Sequence, residues 1–184
     1  SVCSDSWKPC RVQPPYNLGD VRVAAIAIFL AIILAIAAVH KVVAQERLAT
    51  AAAQLTGMAS HYGQMLSLSA AALEGVAAVA LLFPDTRVLG ASLAAALWSG
   101  YAILLWRRRG QSLDCGCSFG KREKPVANSS IIRAAGLAVL AMGPIIWPVE
   151  VFTVETFFAA LGFMTLYLAL DELMAIPKPA WRHG

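Results

Sequence analysis

The chain has 184 residues, 59% hydrophobic and only 14% charged, with a mean hydropathy of +0.65, a net charge of +4 and a pI near 9.0. A soluble domain is typically about 45–50% apolar and about 25% charged, so the surplus apolar surface must face lipid; this excludes a water-soluble globular enzyme and leaves no length for a second sizeable domain. The basic residues cluster beside apolar stretches, so they read as membrane-orientation signals and not as a nucleic-acid surface, and no nucleic-acid partner is expected.

Residues 1–20 form a polar tail with Pro9, Pro14 and Pro15 and no helical period. A first residue of Ser in place of Met suggests a removed signal peptide or an artificial start; a removed signal would put this end outside the membrane. Cys3 and Cys10 then lie in an oxidising compartment, where a structural disulfide is expected; a second redox pair exchanging with a partner is the rival reading. Residues 21–44 are almost unbroken apolar sequence, long enough to cross a bilayer. Residues 62–83 follow, interrupted by Gln64, several serines and Glu74. Residues 88–106 end in Tyr101, Trp106 and the run Arg107, Arg108, Arg109. Residues 131–147 are shorter, and residues 151–176 are closed by Pro177 and Pro179 before a polar tail, 177–184. Between the last two, Pro144, Trp147 and Pro148 mark a helix end at the headgroup level.

The expected fold is all-α, a multi-pass transmembrane helix bundle of four to five spans within residues 21–176. A shallow hairpin of the last two segments is the alternative to two full crossings. Abundant Ala, with Ser92, Ser99, Gly100, Gly136 and Gly143, supplies small residues for close helix approach. The lipid bilayer is thus the first partner.

Counting Lys and Arg by side gives the orientation. One side receives Lys41 and Arg47, the cluster Arg107, Arg108, Arg109, Lys121, Arg122 and Lys124, and the tail residues Lys178 and Arg182. The other receives only Lys8, Arg11, Arg22 and Arg87, with Arg133 set aside at a helix start. The positive-inside rule places the richer side in the cytoplasm and the N-terminal tail outside.

The chemistry-bearing element is Asp114-Cys115-Gly116-Cys117 in the basic segment between the third and fourth spans. A disulfide requires Cα atoms roughly 4.4–6.8 Å apart, which cysteines at i and i+2 reach only if the chain bends. Gly116 permits the bend without a Cβ penalty. So small a ring is strained, and strained disulfides are the more readily reduced. Arg109, Lys121 and Arg122 would favour the thiolates, and Asp114 is placed to accept a proton during exchange. The competing readings are inert free thiols and a soft-metal site completed by His40 and His61. Zinc usually takes four ligands with wider spacing, so no metal is expected.

Three further residues support the site. Glu74 lies in mid-span, where an ionisable group is costly and marks either function or an interior partner. Lys41 is expected to snorkel to the headgroups, and His40 beside it is either a proton carrier or an interfacial residue. Asp171 and Glu172 lie near the last helix end and read as exposed.

The element Asp114-Cys115-Gly116-Cys117, with Phe119-Gly120 after it and an Arg-rich helix end before it, resembles the methylamine-utilisation protein E (MauE) family, related to DoxX-like membrane proteins. His40-Lys41 and Leu73-Glu74 are similar to that family's pattern, and the resemblance runs roughly from residue 21 to 149. Ser118 departs from the family's Cys-Phe-Gly run, and the N-terminal tail and fifth span look like additions. The resemblance implies an integral membrane protein in thiol–disulfide traffic, associated with a thioredoxin-like partner and with maturation of a disulfide-rich periplasmic amine dehydrogenase subunit. A periplasmic partner favours a periplasmic dithiol, whereas the charge count favours a cytoplasmic one.

Two functions are therefore expected to compete. In one, Cys115 or Cys117 attacks a partner disulfide, the other resolves the mixed disulfide, and electrons pass to a second carrier. No cofactor is assigned, a quinone being suggested only by analogy with vitamin K epoxide reductase-like bundles. In the other, the protein is a non-catalytic accessory subunit of a larger membrane complex, its tail ordered by a partner. A transporter using Glu74 is a third, weaker reading.

Overall fold

The computed structural model describes residues 18–57, 59–109, 128–147 and 153–175. Among these every regular element is helical: α1 (Leu18–Val43), α2 (Gln45–Thr56), α3 (Ser60–Leu82), α4 (Arg87–Arg107), α5 (Asn128–Ala141), α6 (Gly143–Ile146) and α7 (Val154–Ala175), with a short 3-10 turn at Pro84–Thr86. Four stretches are long and apolar enough to cross a bilayer: Gly19–Val43, Tyr62–Leu82, Pro84–Arg107 and Asn128–Ile146. Val154–Leu170 is a shorter apolar helix. The protein is an all-α, multi-pass membrane bundle.

α1 is the central post. Ala24, Ala25, Ala27, Phe29, Leu30 and Leu34 are buried, and it packs against α3 on one side and α7 on the other. Phe29 fixes the second contact, tilted on Phe163 at 6.1 Å and edge-on to Tyr167 at 5.9 Å. Elsewhere large apolar side chains point outward, among them Val79, Leu89, Ile132, Val139, Phe158 and Leu173. An aqueous protein would bury such residues; here lipid solvates them.

The helix contacts are made by other small residues than the composition suggested. A Cβ added at Gly63 would collide with the Ala49 carbonyl of α2, and one at Gly90 would sit 2.7 Å from Leu81 N and 2.9 Å from Ala77 O. These two glycines are where backbones touch. Gly100, Gly136 and Gly143 would have nothing within 4 Å of a Cβ, and Ser92 and Ser99 are exposed. In chains this rich in small residues composition marks many positions, but only those facing a neighbour make a close approach.

The second difference is α2. Residues 45–61, between the first two expected spans, are assigned no element from the sequence. They form a helix whose Leu48, Ala51 and Ala53 are buried, lying along the first half of α3. Gly57 ends it in the left-handed conformation (φ 75°), its N–H bonding Ala53 O at 2.8 Å. Arg108 Nη2 lies 3.1 Å from where a Gly57 Cβ would stand, so a guanidinium covers the negative end of the α2 dipole.

The helix ends follow ordinary rules. Thr86 Oγ1 donates to Ala80 O (3.0 Å), and Arg87 Nε donates to Leu81 O (3.3 Å), securing the α3–α4 turn. Met142 separates α5 from α6, Pro144 lies in the first turn of α6, and exposed Trp147 follows that helix. Thr156 Oγ1 accepts from Thr153 N (3.1 Å) and donates to Thr153 O (2.6 Å) at the start of α7.

Candidate functional site

The buried face of α3 carries Gly63, Ser67, Ala71, Glu74, Ala78 and Leu81 at spacings of three and four residues, one stripe of a helix. Glu74 is 1% exposed at its middle. Lys41, two residues from the end of α1, reaches it with Nζ at 2.6 Å from Oε1 and 2.7 Å from Oε2. Tyr101 of α4 donates its phenol proton to Oε1 at 2.7 Å. The ammonium lies 5.3 Å from the Tyr101 ring centroid, a cation–π distance. Three helices thus converge on one carboxylate.

The physical reason is desolvation. An ionised carboxylate away from water costs several kcal/mol unless donors replace its hydration. Here a two-point ammonium contact and a phenol supply them. Lys41 accordingly departs from the expected snorkelling position: its side chain is only 19% exposed and turns inward. The attraction of a fully buried counter-charge outweighs the headgroup alternative.

Two cavities flank this cluster. One, of about 80 Å³, lies between α1, α4, α5 and α7 and includes His40, Lys41, Glu74, Trp98, Arg133 and Tyr167 in its wall. Lys41, Glu74 and Arg133 are the acidic and strongly basic side chains in its lining. The Arg133 guanidinium stands 5.6 Å from the Tyr167 ring centroid. The other, of about 160 Å³, lies under α2 against α3 and α4 and shares Lys41, Tyr101 and Leu105 with the first.

His40, Lys41 and Glu74 are therefore brought together, Glu74 and Lys41 by direct bonds and His40 as a wall residue of the smaller cavity. Cys3, Cys10, Asp114, Cys115, Gly116 and Cys117 lie outside the described residues. The sequence segment holding the dithiol connects α4 to α5. Lys41 near the α1 C-terminus, Tyr101 in the last two turns of α4 and Arg133 in the second turn of α5 meet at one cavity, so the ends of these helices share one end of the bundle.

The sequence does not single out Tyr101 as a bonding partner, Ser67, Trp98 or Tyr167 at all, or Arg133 as more than a basic residue at a helix start. A signal existed for the first three. Small and polar residues at 63, 67, 71 and 74, and the series Gly90, Ala94, Trp98, Tyr101, Leu105, each repeat every three or four residues. In lipid such stripes mark the interior because apolar bulk marks nothing.

The family model for "Methylamine utilisation protein MauE" matches residues 20–148, more than half of the chain. The protein described as "Methylamine utilization protein MauE" from Methylophilus methylotrophus is 30% identical over 182 residues, covering 87% of this chain and 90% of its own length. No solved structure matches. The match takes in the segments of α1, α3 and α4 that carry Lys41, Glu74 and Tyr101, as well as the Asp114–Cys117 element between α4 and α5. The chain belongs to the MauE family of membrane proteins.

Proposed function

We propose that this protein is a membrane thiol–disulfide redox protein serving methylamine utilisation, the role carried in its relative's name. Cys115 and Cys117 are the redox pair, Gly116 the bend between them and Asp114 the proton acceptor. The observation that carries this reading is the dithiol's place in the chain, between two helices whose ends border a buried, proton-bearing Lys41–Glu74–Tyr101 cluster. A carboxylate 1% exposed in mid-span is costly to keep, which supports a functional role for the cluster.

Exchange runs through a mixed disulfide with a thioredoxin-like or disulfide-rich partner. When the Cys115–Cys117 disulfide takes two electrons, one partner thiolate attacks, a mixed disulfide forms, and the second partner thiolate releases the reduced pair. The partner leaves as a disulfide, and two protons pass to the reduced cysteines. The reverse sequence reduces the partner. The charge count supports a cytoplasmic face of the inner membrane for this pair, and Cys3 and Cys10 would then form a structural disulfide on the periplasmic side.

Thiol trapping with a membrane-impermeant maleimide, applied from each side, tests the reading. Labelling of Cys115 and Cys117 only after reduction, and loss of a trapped mixed disulfide in Cys115→Ser and Cys117→Ser, is the expected result. A functional protein that copurifies at fixed stoichiometry with a larger complex and tolerates both substitutions would instead establish an accessory subunit.

A further inference from the structure

We propose that the cavity beneath α2 is the binding site for the ring of a lipid-soluble quinone. Its volume, about 160 Å³, compares with the about 150 Å³ cavity known to hold one benzene ring. Leu48, Ala51, Leu66, Leu104 and Leu105 give it apolar walls. It lies against the membrane-spanning α3 and α4, so its occupant arrives from the bilayer.

The polar groups in the wall select the class of ring. Ser67 is 4% exposed, and its hydroxyl makes no hydrogen bond among the described residues. A buried hydroxyl left so costs about 1–3 kcal/mol, which a ligand acceptor would relieve. Ser67 and Glu74 share the buried face of α3 and lie seven residues, about 10 Å, apart along the axis. Glu74 holds Lys41 and Tyr101, which also line this cavity. A hydroxyl donor at one end and an ammonium at the other, with apolar walls between, suit a flat ring bearing oxygen acceptors at opposite edges. A membrane-dissolved molecule of that description is a quinone. The Lys41 ammonium has three N–H groups, and its contacts to Glu74 account for two.

Binding follows from the cavity alone, whereas the ligand's role as electron acceptor rests on the thiol–disulfide reading. In that role Cys115 and Cys117 close to a disulfide and release two electrons and two protons. The quinone takes both electrons, each carbonyl oxygen gains a proton, and the quinol leaves. Lys41 and Tyr101 carry exchangeable protons at the cavity wall.

The test uses the full chain in nanodiscs of quinone-free lipid, titrated with a short-tailed benzoquinone (2,3-dimethoxy-5-methyl-6-decyl-1,4-benzoquinone). One saturable site is expected, with decylbenzene not competing. Ser67→Ala should weaken binding about three- to tenfold through loss of one hydrogen bond. Ala51→Leu should fill the cavity and abolish binding while the protein unfolds no earlier than wild type. The exposed Ser92→Ala should change nothing. The Cys115→Ser/Cys117→Ser double variant should bind as wild type, which separates the site from the thiols. Under anaerobic conditions the reduced wild type should form one quinol per two thiols lost; binding without this conversion would leave the site standing and sink the thiol reading. The site is overturned by absence of saturable binding, by wild-type affinity in a folded Ala51→Leu variant, or by equal binding of decylbenzene or of an anionic lipid.

Discussion

Replacing either member of the Lys41–Glu74 pair should destabilise the bundle, and unequally. Glu74 is 1% exposed in the middle of α3, whereas the Lys41 side chain is 19% exposed and two residues from the end of its helix. In Lys41→Met the carboxylate loses both ammonium contacts while staying buried, so the cost is that of a broken buried pair, about 3–5 kcal/mol. In Glu74→Gln the ammonium can swing out to the headgroups, so the loss is confined to charged hydrogen bonds, about 1–3 kcal/mol. Lys41→Met/Glu74→Gln should recover most of the Lys41→Met deficit, because the amide still accepts from Tyr101 and no charge is stranded. For a chain of this size a loss of about 3–5 kcal/mol corresponds to a melting shift on the order of 10 °C. Detergent-solubilised protein followed by far-UV circular dichroism, by heat and by SDS titration, gives the three values for a double-mutant cycle. Equal effects of the single substitutions, or strict additivity in the double, would refute the picture of an asymmetric buried pair.

Tyr101→Phe removes a hydroxyl bonded to a charged group and should cost about 1.5–3 kcal/mol in the same assay, without altering helix content. Gly63→Ala should destabilise by about 1–3 kcal/mol because its Cβ meets the α2 backbone, whereas Gly100→Ala, with open space around it, should be neutral or stabilise by up to about 1 kcal/mol. Equal responses at the two glycines would mean that α2 does not pack against α3 as described. Gly57→Ala should cost about 1–2 kcal/mol through its positive φ, and proteolysis near the α2 C-terminus should quicken.

Much of the architecture was legible because lipid imposes it. A backbone crossing hydrocarbon must satisfy its own hydrogen bonds, so long apolar stretches mean helices, and the starts and ends of α1, α3 and α4 fall within a few residues of the segments read at 21–44, 62–83 and 88–106. Helix α2 escaped that logic. Its amphipathic sequence Gln45–Thr56 is stabilised by contact with α3 and has no signature of spanning. The glycines escaped it for a related reason: Gly63, Gly90, Gly100 and Gly136 are equivalent as letters, and only the direction each faces distinguishes a helix contact from a lipid surface.

The amino-acid sequence by itself determined the solvent, the helical class, the family resemblance and the presence of Glu74 as an ionisable group that had to find a partner. It also determined the Cys115–Gly116–Cys117 spacing. Only the tertiary structure decided that the partner of Glu74 is Lys41, 33 positions away, with Tyr101 of a third helix completing the shell. Hydropathy records how much each residue avoids water, and that quantity fixes which segments enter the membrane. It carries no record of azimuth. Which side chains meet across helices is set by the packing of α1, α3 and α4 around one another, and a buried charge is satisfied only where that packing brings a donor within reach.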